Sequence, residues 1–193
     1  APLGKQVPPV DETKVPRPMS PYGASKLAGE AYCSAFWETF GLSSIVLRFA
    51  NVYGPYSHNK SSVIAHYFKR IMEKKPLIIY GDGNQTRDFI YVDDVCQAIH
   101  RSLIRKEAGF EIYQIGTGIE TSINDLVSCI RKYTNTKLKI QNNASRKGEI
   151  IKNFSDISKA QDQLSFCPAI DLSCGLGRTW NWLYNYSAKN NLF

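Results

Sequence analysis

Short apolar runs alternate along the chain with longer segments in which apolar residues recur every three or four positions. The apolar runs predict strands at 43–50, 77–80, 89–92, 111–116 and 137–141. The longer segments predict helices at 22–40, 61–75, 93–105, 122–133, 156–164 and 172–186. Turn-forming residues predict loops over "NVYGP", "GDGNQTRD" and "NNASRKGE". Strands and helices that alternate in this way are typical of an α/β fold with parallel strand pairing.

The first helix carries the clearest local signals. Ser20 is a suitable N-cap, Pro21 is favoured at the first helical position, and Gly41 predicts the end of the helix. Tyr22 and Lys26 are four residues apart, so they share one helix face. An unperturbed tyrosine titrates near pH ~10, so it accepts a proton at neutral pH only if a positive charge stabilises its phenolate. A lysine one turn away could do this, although the same pair also fits a plain exposed helix face.

Composition and charge limit the classes of function. Of the 193 residues, 43% are hydrophobic and 21% are charged, which is ordinary for a globular protein with a real core. No segment approaches the ~20 apolar residues of a membrane span and no signal-peptide pattern is present, so we expect a cytoplasmic protein. The net charge of +7 allows either nucleic acid or a phosphorylated small ligand as a partner. The basic residues are scattered over several helices, and this distribution favours the small ligand.

Cysteine and histidine spacing argues against a metal site. The five cysteines are Cys33, Cys96, Cys129, Cys167 and Cys174. They include no C-x-x-C pair, and the three histidines have no metal-binding spacing. Four of the cysteines fall inside predicted helices, so we expect reduced, buried thiols and neither disulfides nor zinc.

Six segments occur in an order and at distances that resemble a known family. They are "SPYGASKLAGE", "LRFANVYGP", "PLIIYGDGNQTRDFIYVDDV", "YQIGTG", "RKGEI" and "DISKAQDQLSFCP". Together they resemble the C-terminal part of the extended short-chain dehydrogenase/reductase family, and within it the NAD-dependent nucleotide-sugar epimerases and dehydratases. Ordered segments that cover essentially the whole chain are far more specific than the tyrosine–lysine pair alone.

The resemblance implies a fold and a division into domains. The expected fold is α/β: the C-terminal part of a Rossmann-like doubly wound parallel sheet plus a small α/β substrate-binding domain. Residues 1–57 are expected to hold the catalytic helix and the strand after it, and residues 58–193 mainly the nucleotide-sugar-binding domain. A strand near 111–116 is expected to return to the Rossmann-like sheet.

The resemblance also implies catalytic and cofactor roles. Tyr22 matches the family's acid/base, which moves a proton on and off a sugar hydroxyl while NAD takes hydride from the same carbon. Lys26 matches the lysine that contacts the nicotinamide ribose and stabilises the phenolate. Phe49 falls where the family lines the nicotinamide pocket, although it could equally be a core residue.

Five further positions match the family's nucleotide-sugar site. Asn51 matches an asparagine near the diphosphate, and Arg87 and Arg146 match two arginines that clamp the phosphate and ribose region. Guanidinium groups are effective there because they stay charged and pair with phosphate oxygens in bidentate fashion. Tyr80 falls where the family holds the base, and Glu149 where it holds the ribose. Each position also has a plainer interpretation. Asn51 could stabilise its own turn, the two arginines could be surface residues, Tyr80 could be a core aromatic and Glu149 a solvated acid.

The family's glycine-rich phosphate loop and the serine or threonine that partners the tyrosine do not occur in this sequence. We therefore expect that roughly the first two-fifths of the family's chain, which binds most of NAD, is absent here. We also expect the 193-residue chain to be inactive by itself. The dehydratases' Asp–Glu pair also falls outside this sequence, and nothing in the segments present points to dehydration, so epimerisation is the default. The alternative is a non-enzymatic module that binds nucleotide-sugars or oligomerises.

The first helix also carries an apolar stripe. Tyr32, Phe36 and Phe40 follow one another at intervals of four residues. In the family the matching helix packs against its copy in a homodimer, so the stripe predicts either a homodimer contact or a core face.

Overall fold

The computed structural model describes residues 2–106, 109–134, 138–146, 148 and 150–190. Its helices are α1 (Pro21–Phe40), α2 (Val63–Met72), α3 (Val92–Leu103), α4 (Ile123–Thr134), α5 (Ser158–Leu164) and α6 (Leu172–Asn190). Its strands are β1 (Ser44–Phe49), β2 (Asn51–Tyr53), β3 (Leu77–Tyr80), β4 (Thr86–Arg87), β5 (Phe89–Tyr91), β6 (Phe110–Ile115), β7 (Thr121–Ser122) and β8 (Ile140–Asn143). β1 pairs with β6, β2 with β5 and β3 with β8 in parallel, whereas β4 and β7 are antiparallel. The predicted α/β class with parallel pairing is confirmed.

Helix α1 begins and ends where its local chemistry predicts. The Ser20 hydroxyl accepts a hydrogen bond from the Gly23 backbone N–H at 3.0 Å, and Pro21 is the first helical residue. Gly41 follows the last residue in the left-handed conformation, with a φ of 66°, and its N–H donates to the Trp37 carbonyl at 2.8 Å. The residues immediately beside the helix therefore set the position of its first turn, which carries the predicted catalytic tyrosine.

Strands β1 and β6 are in register along the whole of β1. In the described part of the chain, β1 pairs with no other strand. The edge of β6 that faces away from β1 is covered by side chains. Glu12 Oε1 accepts from the Gln114 backbone N–H at 2.6 Å, and Lys159 Nζ donates to the Ile112 carbonyl at 3.0 Å. Such contacts protect an edge strand against pairing with another chain.

The described residues form two hydrophobic clusters. The larger cluster joins α2, α4 and α6 to β3 and β5, with Phe68, Leu126 and Leu176 at its centre. The smaller cluster joins α3 and α5 to β6, and Ile45 and Leu47 of β1 pack against it. Thus α3, β6 and α5 pack with β1 although they follow residue 57 in sequence. The domain boundary at residue 57 stays a prediction.

Two predicted loops and one predicted strand have different bounds in the structure. The segment predicted as the loop "NVYGP" contains β2, because Asn51–Tyr53 pairs with Phe89–Tyr91. The predicted loop "GDGNQTRD" likewise contains β4, which pairs with β7. The strand predicted at 137–141 begins instead at Ile140, and residue 137 lies outside the described residues. In each case the pairing is with a strand distant in sequence, which a local pattern does not reveal.

Side-chain burial differs from expectation in two places. The prediction that the cysteines are buried is wrong, because Cys96 and Cys167 are exposed and the other three are only half-buried. The Tyr32, Phe36 and Phe40 side chains are exposed, so the core alternative for this stripe is wrong. Helix α1 buries Gly23 and Glu30 instead, because a different face of the helix contacts β1.

No helix in the described part of the chain is long and apolar enough to cross a membrane. Among the same residues, no three His, Cys, Asp or Glu side chains are grouped so that they could hold a metal ion.

Candidate active site

Four of the predicted substrate residues line one cavity. Asn51 begins β2, Tyr80 ends β3, Arg87 lies in β4, and Arg146 follows β8. These segments are distant in sequence, but they surround a cavity of about 500 Å³, which we call the arginine cavity. Its volume is in the range of small-molecule binding sites.

Arg146 and Tyr80 form a stacked pair on the wall of the arginine cavity. Arg146 Cζ lies 3.8 Å from the centroid of the Tyr80 ring, so the guanidinium lies over the aromatic face. A guanidinium in this position can still donate through its N–H groups to an anion. The predicted phosphate contact and the predicted base contact are therefore one structural unit.

Arg87 and Asn51 are held in place by backbone carbonyls. Arg87 Nη1 donates to the carbonyls of Thr86 and Ile150, both at 2.7 Å. Asn51 donates to the Asp88 carbonyl from Nδ2 at 3.1 Å and from its backbone N–H at 2.9 Å. These hydrogen bonds fix both side chains at the cavity wall.

The arginine cavity has a positive electrostatic character. Its described lining residues include Arg87, Arg146 and His66 but no aspartate or glutamate. The first turn of α2 also lines it, so the positive end of a helix dipole lies at the cavity. Burial lowers the pKa of His66 below its ordinary value, and the positive charges of Arg70 and Arg146 lower that pKa further. The ligand that this arrangement favours is an anion.

The predicted catalytic residues line a second cavity of about 490 Å³, which we call the tyrosine cavity. Tyr22 and Lys26 reach it from α1, and Phe49 reaches it from the end of β1. Lys26 Nζ lies 5.3 Å from the centroid of the Tyr22 ring, as neighbouring turns of one helix allow. Tyr22 is 64% exposed and Phe49 is 43% exposed, so both side chains are accessible to a ligand.

A buried ion pair also lines the tyrosine cavity. Arg48 Nε and Nη2 donate to the two carboxylate oxygens of Glu30 at 2.9 and 2.7 Å. The two side chains are only 7% and 9% exposed, so the bidentate contact offsets the cost of burying both charges. Arg48 Nη1 is buried as well, and it has no hydrogen-bond partner within the described ranges. The pair joins α1 to β1 and holds the helix that carries Tyr22.

Asp88 connects the two cavities. It lines the tyrosine cavity, whereas its neighbour Arg87 lines the arginine cavity. The buried Asp88 carboxylate accepts hydrogen bonds from the backbone N–H groups of Thr117, Gly118 and Ser155 at 2.9, 3.2 and 3.3 Å. The same holds one strand away, where Ala50 lines the tyrosine cavity and Asn51 the arginine cavity, so the walls of the two cavities meet along these two segments.

Seven of the predicted site residues thus lie at the two adjoining cavities, and their chemical roles stay predictions. Glu149 lies outside the described residues. Sequence reasoning missed Glu30, Arg48 and His66. Glu30 continues the four-residue spacing of the tyrosine and lysine, and Arg48 is the one charge in an apolar run, so both had a detectable signal. His66 had none, because only the packing around α2 brings it to the cavity.

Comparison with known proteins identifies the family. Residues 2–116 match the model of the NAD dependent epimerase/dehydratase family, and the chain belongs to that family, as its six segments predict. The chain is 36% identical over 180 residues to the UDP-glucuronate 4-epimerase of Thermodesulfobacterium geofontis. The aligned residues cover 93% of this chain and 55% of that protein. The chain therefore spans little more than half the length of this relative.

Many solved structures match this chain, and two of them illustrate the shared fold. The UDP-glucose 4-epimerase of Thermotoga maritima, solved with UDP-glucose, is 34% identical with a TM-score of 0.88, over 95% of this chain and 60% of that one. The UDP-glucuronic acid 4-epimerase of Bacillus cereus, solved with UDP-glucuronic acid and NAD, is 33% identical with a TM-score of 0.88, over 96% of this chain and 59% of that one. The predicted Rossmann-like α/β fold is confirmed.

Proposed function

We propose that the protein carrying this chain is an NAD-dependent nucleotide-sugar epimerase. The observation that supports this most strongly is the junction at Arg87 and Asp88, where a basic cavity adjoins a cavity with an exposed tyrosine–lysine pair. A nucleotide-sugar has matching chemistry, because its diphosphate is an anion and its sugar hydroxyl carries a transferable proton. In this proposal the diphosphate lies in the arginine cavity and the sugar extends toward Tyr22.

The arginine cavity binds the nucleotide in this proposal. Arg87 and Arg146 donate to phosphate and ribose oxygens, because charged planar donors are effective partners for these groups. Tyr80 contacts the base, and Asn51 contacts the substrate near the diphosphate. Glu149 is assigned to the ribose on the strength of its position in the sequence.

Tyr22 is the proposed acid/base. Its oxygen accepts the proton of the sugar hydroxyl and later returns a proton to the sugar oxygen. The Lys26 ammonium stabilises the phenolate that performs the first of these steps. NAD, when bound, supplies hydride transfer at the sugar carbon. The residues present fit the nicotinamide end of that cofactor, since Phe49 offers an apolar wall and Lys26 a donor for a ribose oxygen in the open tyrosine cavity.

Epimerisation is proposed rather than dehydration. Epimerisation needs only reversible proton and hydride transfer at one carbon, which the tyrosine and the cofactor supply. Dehydration needs a further acid and base beside the sugar. Among the described residues that line the tyrosine cavity, Glu30 is engaged by Arg48 and Asp88 by backbone N–H groups, so neither favours dehydration.

Three further properties belong to the proposal. This 193-residue segment by itself is inactive, because its sequence has no glycine-rich loop to bind the pyrophosphate of NAD. The exposed stripe of Tyr32, Phe36 and Phe40 is a homodimer contact, since clustered exposed aromatics are costly in water. The protein acts in the cytoplasm, where free thiols such as its five cysteines stay reduced.

Tyr22→Phe in the intact natural protein tests the proposed function. The substitution keeps the ring but removes the hydroxyl, so we expect epimerisation of a UDP-hexose to fall about 10²- to 10⁴-fold. Calorimetric affinity for UDP should be unchanged, since Tyr22 lies outside the arginine cavity. Tyr32→Phe is the matched control on an exposed face of the same helix, and it should keep full activity.

Full turnover in Tyr22→Phe would show that Tyr22 is not the acid/base. Binding of UDP without epimerisation of any UDP-hexose by the unmodified protein would favour a non-enzymatic nucleotide-sugar-binding module.

A further inference from the structure

His66 lies at the arginine cavity although no sequence motif assigned it a role. It is in the first turn of α2, where its backbone N–H donates to the Ser62 carbonyl at 2.9 Å. Side chains of a helix are tilted toward its N-terminus, so the imidazole projects toward the end that lies at the cavity. The Ser62 hydroxyl is at the same end, and it is buried without a hydrogen-bond partner among the described residues. His66 thus lines the same cavity as a buried hydroxyl that can donate a hydrogen bond to an anion.

The charges around His66 are mostly positive. The titratable and charged groups on the elements around it are Tyr67, Lys69 and Arg70 on α2, Glu73 directly after α2, Tyr80 on β3, Arg87 on β4 and Arg146 after β8. Burial, Arg70 and Arg146 disfavour the charged imidazolium, whereas Glu73 favours it, and the net effect is a lowered pKa. These surroundings therefore favour the neutral imidazole over the imidazolium in the free protein.

A bound diphosphate reverses this balance, because it brings negative charge into a cavity whose described lining has no carboxylate. Nearby negative charge favours the imidazolium, which donates hydrogen bonds from both ring nitrogens. We propose that His66 is a diphosphate-contacting residue that takes up a proton when a nucleotide-sugar binds. This inference rests on the proposed function, since it concerns how the same cavity holds its ligand.

The direction of the pH dependence follows from the two states of His66. If its pKa is higher in the complex than in the free protein, binding takes up protons at pH values between the two. Affinity is then highest below the pKa of the free protein, falls as the pH rises, and is constant above the pKa of the complex. Each unit between the two pKa values corresponds to about a tenfold change in affinity.

Calorimetric titration of UDP-glucose into the intact natural protein tests the proposal. UDP-glucose is the probe because its diphosphate is esterified at both ends and does not itself titrate near neutral pH. Titrations at pH ~6.5 in buffers of different ionisation enthalpy report the protons taken up per ligand bound. We expect uptake of a fraction of one proton, and about a tenfold loss of affinity between pH ~5.5 and pH ~8.5.

His66→Gln removes the titrating ring but keeps a polar side chain, so we expect no proton uptake and a flatter pH profile. His100→Gln on α3 is the matched control, because His100 lies outside the arginine cavity, and it should behave like the unmodified protein. Binding without proton uptake, or uptake that persists in His66→Gln, would overturn this inference and leave the proposed function standing. Failure to bind UDP-glucose or dTDP-glucose at any pH would overturn both.

Discussion

Replacing Arg146 with alanine tests the anion site most directly. Its guanidinium lies over Tyr80 in the free protein, so the stacking is already present before a ligand binds and adds nothing to the binding difference. The loss on binding is that of the charge-assisted hydrogen bonds to the diphosphate, about 1–3 kcal/mol. This corresponds to roughly a 5- to 150-fold weaker dissociation constant for UDP.

Calorimetric titration of UDP at pH ~8 measures this effect well above the ordinary pKa of an imidazole. Arg146→Lys keeps the charge without the planar donors, so its affinity should lie between those of the unmodified protein and Arg146→Ala. Arg87→Ala should weaken binding by a similar amount. Arg131→Ala, an exposed arginine on α4 away from the cavity, is the matched control. Unchanged UDP affinity in both Arg87→Ala and Arg146→Ala would refute the anion-site assignment.

Three other predictions concern stability, assembly and the cofactor. Glu30→Ala leaves Arg48 buried without its counter-charge, so the free energy of unfolding measured in urea should fall by about 3–5 kcal/mol. The double variant with Glu30→Ala and Arg48→Met should lose less stability, because no unpaired charge is buried. An equal or larger loss in the double variant would contradict this. Phe36→Glu on the exposed stripe should turn a homodimer into a monomer in sedimentation velocity, and a strictly monomeric unmodified protein would count against the interface. The 193-residue chain alone should bind NADH more weakly than about millimolar in a fluorescence titration, and micromolar affinity would show that the cofactor site is misassigned.

Some residues of the candidate site could be predicted from the sequence and others could not. Helix geometry alone predicts that the Tyr22 and Lys26 side chains lie next to each other, and the capping residues predict where that helix starts. The positions of Arg87 and Arg146 could be assigned only by resemblance to a family, because nothing in either local pattern distinguishes them from surface arginines. His66 could not be found, since its place at the cavity depends on the packing of α2 beside residues distant in sequence.

The sequence by itself determined the α/β class, the helices, most strands and the caps of α1, because these depend on hydrogen bonds and side-chain periodicity within short segments. It also indicated the family, through the resemblance of six ordered segments. The tertiary structure alone decided which strands pair, which cysteines are exposed, and that the arginine and tyrosine cavities adjoin at Asp88. The physical reason is that strand partners and burial are set by contacts between segments far apart in the chain. Asn51–Tyr53 is the clearest case, since it reads as a loop locally and becomes a strand through its pairing with Phe89–Tyr91.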